Sequence, residues 1–414
     1  MQNWLVPRTD LTPEQLRAVE LSTDEHRLIF GGPGSGKTQI LLHRADYLRD
    51  WFSTPPERFR IFVFTNALKQ YIQSAMALLD LPEENILTFD DWCRKFYLAN
   101  ISPHVPWDRE NRSPDYAGVR REVLAKLRSG AGPFYDFVLV DEGQDLDHDA
   151  FEAIRLMARH VTVCMDNKQQ IYMHGCSEAE ILTLLGLRKR NVALLSTFRC
   201  CPYIVQIASR LIDDPVARAN YLNQARTAQT ERQKPLLYFS SSEDDEKKRL
   251  IDIVKTRLHL GDRIAILYPL NRFVYGYAKA FAEAGLEVEV PSKRGRQGEY
   301  IPLDFSSDRP KLMPYHSAKG LTFDTVIMPR LQPAAFGGIR QVSLERILFV
   351  GISRATKWVY LSSRQGDQLP VLQRLSEGEL AGQYLTVQEA GKAWESNAEQ
   401  KSGIGSSDNL ADLL

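Results

Sequence analysis

The sequence predicts an α/β protein of two halves, each a parallel sheet flanked by helices. Three observations carry that expectation. Short apolar runs alternate with helical patterns along the chain, as buried parallel strands joined by helical crossovers require. A Gly-rich turn lies between the first such run and the first such helix. The alternation then restarts past the middle of the chain, and 414 residues suffice for two or three domains with separate cores.

Taken in order, Leu28–Phe30 reads as the strand entering the Gly-rich turn and Gln39–Arg49 as the helix leaving it. Ile61–Thr65, Phe137–Val140, Val161–Met165 and Val192–Leu195 read as further strands of the first half. In the second half Leu236–Phe239, Ile264–Tyr268, Leu286–Val290, Asp324–Met328 and Trp358–Leu361 read as strands. Helical patterns cover Phe273–Ala284 and the region near Ser343–Ile352. The boundary falls near residues 196–230, which divides the chain into a first domain over 1–195 and a second over 196–390. Residues 391–414 form a polar, Gly/Ser-rich tail expected to be disordered.

Composition excludes several classes. Hydrophobic residues are 43% and charged residues 25%, which argues against a disordered, collagen-like or coiled-coil chain. Lys+Arg and Asp+Glu are both 52, so a strongly basic nucleic-acid-coating protein is excluded, while a local basic groove stays open. The Lys293–Arg296 and Leu187–Arg190 clusters read as solvated loop and helix end. None of the five cysteines forms a CxxC pair, which speaks against a zinc ribbon and for buried free thiols in a reducing compartment. No apolar leader and no apolar run of about 18 residues is visible, so the expectation is a cytoplasmic protein with no membrane contact.

Gly31-Gly32-Pro33-Gly34-Ser35-Gly36-Lys37-Thr38 fits the phosphate-loop pattern GxxxxGK[ST]. Glycines let backbone N–H groups converge on phosphates, Lys37 can neutralise the β/γ charge, and the Thr38 hydroxyl can ligate Mg²⁺. The strand before and helix after supply the context, because a helix N-terminus favours anions. The Lys-Thr ending excludes a dinucleotide fingerprint. Val138-Leu139-Val140-Asp141-Glu142 is an apolar strand ending in two carboxylates. Asp141 suits Mg²⁺, and Glu142 suits polarising an attacking water.

With these elements in place, the chain resembles the superfamily 1 helicases of the UvrD/Rep type over about residues 8–363, with the motifs in the family's order. Leu11-Thr12-Pro13-Glu14-Gln15 resembles the Q motif, which implies that Gln15 reads adenine. Phe64-Thr65-Asn66 resembles motif Ia and Thr88-Phe89-Asp90-Asp91-Trp92 the TFHSF element. Asp141 to Asp145 resembles the DExQD box, and Asp166 to Tyr172 the GDxxQSIY motif, which implies that Gln169 senses the γ-phosphate. Thr197-Phe198-Arg199 resembles motif IV, implying that Phe198 stacks on adenine and Arg199 touches the γ-phosphate. Tyr315 to Leu321, with Gly320 near the nucleotide, resembles motif V. Glu345 to Ala355 resembles motif VI, implying Arg354 as a second finger.

The resemblance implies two RecA-like domains binding ATP and Mg²⁺ between them. It also implies single-stranded nucleic acid lying against Thr65, Asn66, Phe89, His174 and His316. Departures are visible. Met165 replaces a glycine, Asp90-Asp91 replaces His-Ser, His174 stands for a stacking aromatic, and Thr322 replaces a glutamate on the nucleotide sugar. The short stretches Trp92–Asp141 and Arg199–Tyr315 imply a reduced first accessory domain and no second one. The leading expectation is a nucleic-acid-stimulated ATPase translocating 3′ to 5′ on single-stranded DNA. A second is an ATP-dependent switch subunit gating a protein partner such as a nuclease. The stripped core and the Phe198-Arg199-Cys200-Cys201 run resemble the helicase-like subunits of phage-defence systems such as Gabija. A third is an RNA translocase, since nothing in the motifs distinguishes the sugar.

Overall fold

A computed structural model describes residues 4–32, 34–108, 113–130, 132–166, 175–189, 191–194, 200–224, 233–294, 299–301, 303–337, 343–377 and 381–391. Pro33, Gln169, His174, Phe198, Arg199, Arg296 and the tail from residue 392 lie outside these residues.

The first sheet is built from β1 (Arg27–Gly31), β2 (Phe59–Val63), β3 (Ile86–Thr88), β6 (Tyr135–Val140), β7 (Ala158–Met165) and β8 (Val192–Leu194). The short antiparallel pair β4 (Trp107–Asp108) and β5 (Ser113–Pro114) stands apart from it. The order β3-β2-β6-β7-β1-β8 is parallel throughout. β6 is buried along its whole length, as a strand covered on both faces must be. Val138 and Val140 enter one apolar cluster, while Phe137 and Leu139 enter another on the opposite face. α1 (Pro13–Val19) precedes the sheet, and the crossovers are α2 (Lys37–Phe52), α3 (Asn66–Met76), α4 (Phe89–Asn100), α5 (Tyr116–Arg128), α6 (His148–Met157) and α7 (Glu178–Leu184). Their starts follow local chemistry. Thr88 and Asp147 cap α4 and α6 through their side chains, and Ser177 with Glu180 forms a capping box on α7.

The second sheet repeats the architecture with β9 (Leu236–Ser240), β10 (Ile264–Tyr268), β13 (Lys311–Pro314), β14 (Phe323–Met328), β15 (Ala355–Arg364) and β16 (Thr386–Glu389). Its order β13-β10-β14-β15-β9-β16 is again parallel. Helices α8 (Pro202–Ser209), α9 (Pro215–Gln224), α10 (Glu243–His259), α11 (Asn271–Glu283), α12 (Pro333–Phe336) and α13 (Leu344–Ile352) surround it. The two six-stranded parallel sheets bear out the expected α/β class of two RecA-like units. Among the described residues no helix is long and apolar enough to cross a membrane.

One strand expectation needs correction. Leu286–Val290 is not a strand; only Glu289 bridges Lys311, and β13 takes the edge position beside β10. The apolar alternation at Leu286, Val288 and Val290 instead packs these side chains against the core on the α10–α11 face. Where a reduced accessory domain was expected in the first half, the described residues form the β4–β5 pair and α5. Between α11 and β13 the described residues include the hairpin β11 (Ser292–Arg294) and β12 (Glu299–Ile301).

The halves meet through an apolar seam. Leu68 and Tyr71 of α3 share one cluster with Leu303, Tyr315 and Leu321 of the second half. The Leu303 N–H donates to Gln70 Oε1 at 3.0 Å, and the Phe305 ring meets Tyr71 edge-on at 5.4 Å.

Candidate active site

The phosphate loop follows β1 at the carboxyl edge of the first sheet, where ligands of parallel sheets bind. Gly36, at φ +85°, caps α2 in a left-handed conformation. A Cβ there would fall 2.4 Å from Gln15 Nε2, so only glycine allows both the turn and the neighbour. Gln15 closes a capping box with Thr12 and donates from Nε2 to the Ser35 carbonyl at 3.0 Å. It therefore braces the loop from behind. Lys37 is buried, and its Nζ donates to the Gly31 and Gly32 carbonyls at 2.8 and 3.1 Å.

β6 delivers the carboxylates to the same edge. The Thr38 hydroxyl donates to Asp141 Oδ2 at 2.7 Å, which joins loop and strand end. This pair of hard oxygen donors fits Mg²⁺. Glu142 stands at φ +54°, an uncommon conformation for a residue with a side chain. Gln144 Nε2 donates to Glu142 Oε2 at 2.5 Å, and Gln144 Oε1 accepts from the Asp166 N–H at 2.9 Å. The carboxylates of Asp141 and Glu142 are driven apart. Burial and the Glu142 charge push Asp141 up, against the Thr38 bond and the Lys37 charge. Burial also pushes Glu142 up, but the cations Lys319, Lys37 and Arg354 outweigh it and hold Glu142 low.

Two of those cations come from the second half. Lys319 and Arg354 lie just before β14 and β15, which pair in parallel with Phe323 opposite Ala355. That register places both at the amino edge of the second sheet, facing the carboxyl edge of the first. Lys319 is 1% exposed; its Nζ bonds Asp145 Oδ2 and lies 3.6 Å from Glu142 Oε2. Arg354 is held by the Val350 carbonyl at 3.1 Å and Ser353 Oγ at 3.0 Å. Burial pulls its pKa down, opposed by the Glu142 and Asp166 charges nearby. Gln144, Asp145 and Lys319 stand within the stretches that resemble the DExQD box and motif V, and that placement is the one signal of them in the sequence.

The nucleic-acid candidates fare unevenly. Phe89 is corrected: it is 4% exposed, stacked on Trp92 and edge-on to Phe62, so it is core and cannot offer a base a face. Asp90 bonds Arg120 at 2.6 Å, and Arg120 also bonds Asp147 at 2.8 Å, which ties α4, α5 and α6 together. Thr65 accepts the Leu68 N–H and caps α3. Asn66 and His316 are exposed on opposite sides of the seam.

Residues 11–131 match the family model of the UvrD/REP helicase N-terminal domain. The chain is 21% identical to YjcD of Bacillus subtilis (strain 168), named as an ATP-dependent DNA helicase, over 88% of this chain and 59% of that protein. It is also 21% identical to a protein of Mycoplasma capricolum named as a DNA helicase II homolog, over 68% of this chain and 52% of that one. The chain thus spans little more than half the length of either relative. A solved C-terminal domain of a possible DNA helicase from Lactobacillus plantarum WCFS1 aligns at 17% identity and a TM-score of 0.33, covering 46% of this chain and 98% of that one. The fold assignment stands on the sheet topology itself. The chain is thus similar to the UvrD/REP helicases, and the match to the model of their N-terminal domain falls on residues 11–131.

Proposed function

We propose that this chain hydrolyses ATP between its two sheets and uses the cycle to move along single-stranded DNA. The observation that carries the reading is the Thr38–Asp141 contact at 2.7 Å with Glu142 beside it and Lys319 and Arg354 facing it from the other half. The Gly31–Thr38 loop and Lys37 hold the triphosphate. Thr38 and Asp141 would hold Mg²⁺, which when bound would neutralise phosphate charge. Glu142, kept ionised by its cations, accepts the proton of the attacking water. Arg354 stabilises charge developing on the transferred phosphoryl group. Gln15 near the base, Gln169 and Arg199 at the γ-phosphate, Phe198 on adenine and Gly320 near the nucleotide complete the set on the resemblance alone. Release of phosphate removes the charge that draws the halves together, so each turnover loosens the cleft. Thr65 and Asn66 on one side and His316 on the other give a strand a path across the seam, with His174 added by the resemblance; such contacts grip without reading sequence.

A second reading, a switch in which closure is the output toward a protein partner such as a nuclease, is favoured by one observation. The segment Leu303–Phe305 already docks the second half onto α3. Steady-state ATPase with no nucleic acid, single-stranded DNA, duplex DNA and single-stranded RNA separates these. Stimulation by single-stranded DNA supports the translocase, equal stimulation by RNA widens the substrate, and fast turnover indifferent to all of them favours the switch. Glu142→Gln should lose about 100-fold or more in kcat while still binding nucleotide. Full turnover in that variant would sink both.

A further inference from the structure

Lys319 reaches from the second half into the first. It follows the turn Tyr315–Ala318 and precedes Gly320, whose φ is +79°. A Cβ on Gly320 would lie 2.8 Å from Leu68 Cδ2, so the backbone of the second half touches α3 at this point. The contact delivers the lysine side chain across the seam, past the Phe64 ring at 5.9 Å, to Asp145 and Glu142. A buried ammonium is tolerated only beside opposite charge. Lys319 finds that charge on Asp145 and Glu142 of the first half.

Its placement on Glu142 is selective. Both Gln144 Nε2 and Lys319 Nζ approach Oε2. Gln144 lies within the first half and is present whether the halves are open or closed. Lys319 arrives only on closure.

We propose that Lys319 is a positioning residue that fixes the Glu142 carboxylate through Oε2, so that the base is aligned for water only when the two halves are closed. Asp145 holds the ammonium in line. Closure then sets two parts of the chemistry at once, Arg354 at the phosphate and Lys319 at the base. The contact lies beside the exposed His316, so a strand seated on the seam would favour the closed state and turnover together. This rests on the hydrolytic reading above.

The test compares wild type, Lys319→Gln, Lys319→Arg, Asp145→Asn, Glu142→Gln and the double variant Lys319→Gln/Glu142→Gln in the full chain. Turnover is measured with single-stranded DNA, and affinity with a non-hydrolysable ATP analogue. Lys319→Gln should lower kcat about tenfold or more while KM and analogue affinity change less than about threefold, the pattern of an interaction made at the chemical step. Lys319→Arg should recover part of the loss. Asp145→Asn, which keeps the lysine, should show the same split more weakly, and it carries the test if Lys319→Gln does not fold. The double variant should be no slower than Glu142→Gln alone in single turnover, because the lysine acts through the glutamate. Wild-type protein without ATPase activity, or an active Glu142→Gln, would overturn the hydrolytic reading and the proposal with it. An inert Glu142→Gln beside a Lys319→Gln within twofold of wild type would overturn the positioning role alone. So would a Lys319→Gln whose loss lies in analogue affinity.

Discussion

At the scale of single residues, burial decides roles that residue type leaves open. Phe89 sits in a motif that suggests a stacking platform, yet it packs among Phe62 and Trp92. Phe89→Ala should therefore destabilise the fold by about 3 kcal/mol, read by chemical denaturation, as truncation of a buried aromatic does. A variant of unchanged stability with weakened strand binding would reverse that assignment. A second residue ties stability to pH. Arg44 is fully buried and donates to Thr162 Oγ1, to the Val19 and Leu21 carbonyls and to His160 Nε2 at 3.0 Å. Burial and the Arg44 charge hold His160 down to about 3. The unfolded chain, with an ordinary histidine, takes up this proton first. Stability is thus whole above about pH 6.5, and acidification from there to pH 5 should remove about 2 kcal/mol. His160→Gln keeps an acceptor for Arg44 and should flatten that part of the pH profile; an equally steep profile would assign the loss to other groups.

At the scale of elements, the two sheets differ in which edge they present. The first offers the carboxyl ends of β1, β6 and β7, where the phosphate loop, Asp141 and Asp166 stand. The second offers the turns entering β14 and β15, where Lys319 and Arg354 stand. The Gly320 turn fits one to the other, which makes it the sensitive point. Gly320→Ala forces a side chain into φ +79° and onto Leu68. It should cost about 1–3 kcal/mol in a urea melt, with ATPase falling in parallel. Trimming the neighbour in Gly320→Ala/Leu68→Ala should relieve the clash but not the backbone strain, so ATPase recovers further than stability relative to Leu68→Ala alone. An unchanged melt for Gly320→Ala would show that the turn has other conformations open to it.

At the scale of the whole molecule, the stretch expected to lack a second accessory domain holds, among the described residues, a hairpin and a short docking segment. Leu303 is 3% exposed in the seam and its N–H is bonded to Gln70. Leu303→Ala should cost about 2–4 kcal/mol of apolar contact and open the cleft. Solution scattering should report a larger radius, and the KM for ATP should rise. An unchanged scattering curve with an unchanged KM would mean that the seam does not govern closure.

The sequence by itself determined most of the elements and which candidate residues gather at one edge. Parallel strands advertise themselves as apolar runs, and the phosphate loop and the paired carboxylates are contiguous in the chain, so Lys37, Thr38, Asp141 and Glu142 were legible from local order. Their contact is a consequence of β1 and β6 ending on one edge of one sheet. What depends on packing between distant segments was not legible. The burial of Phe89, the capture of Asp90 by Arg120, the displacement of Leu286–Val290 by β13 and the passage of Lys319 to Glu142 are each decided by neighbours far along the chain. A motif records which residues travel together. Only the closed tertiary structure sets which atoms meet, because a buried charge is stable only where another element brings its counter-charge.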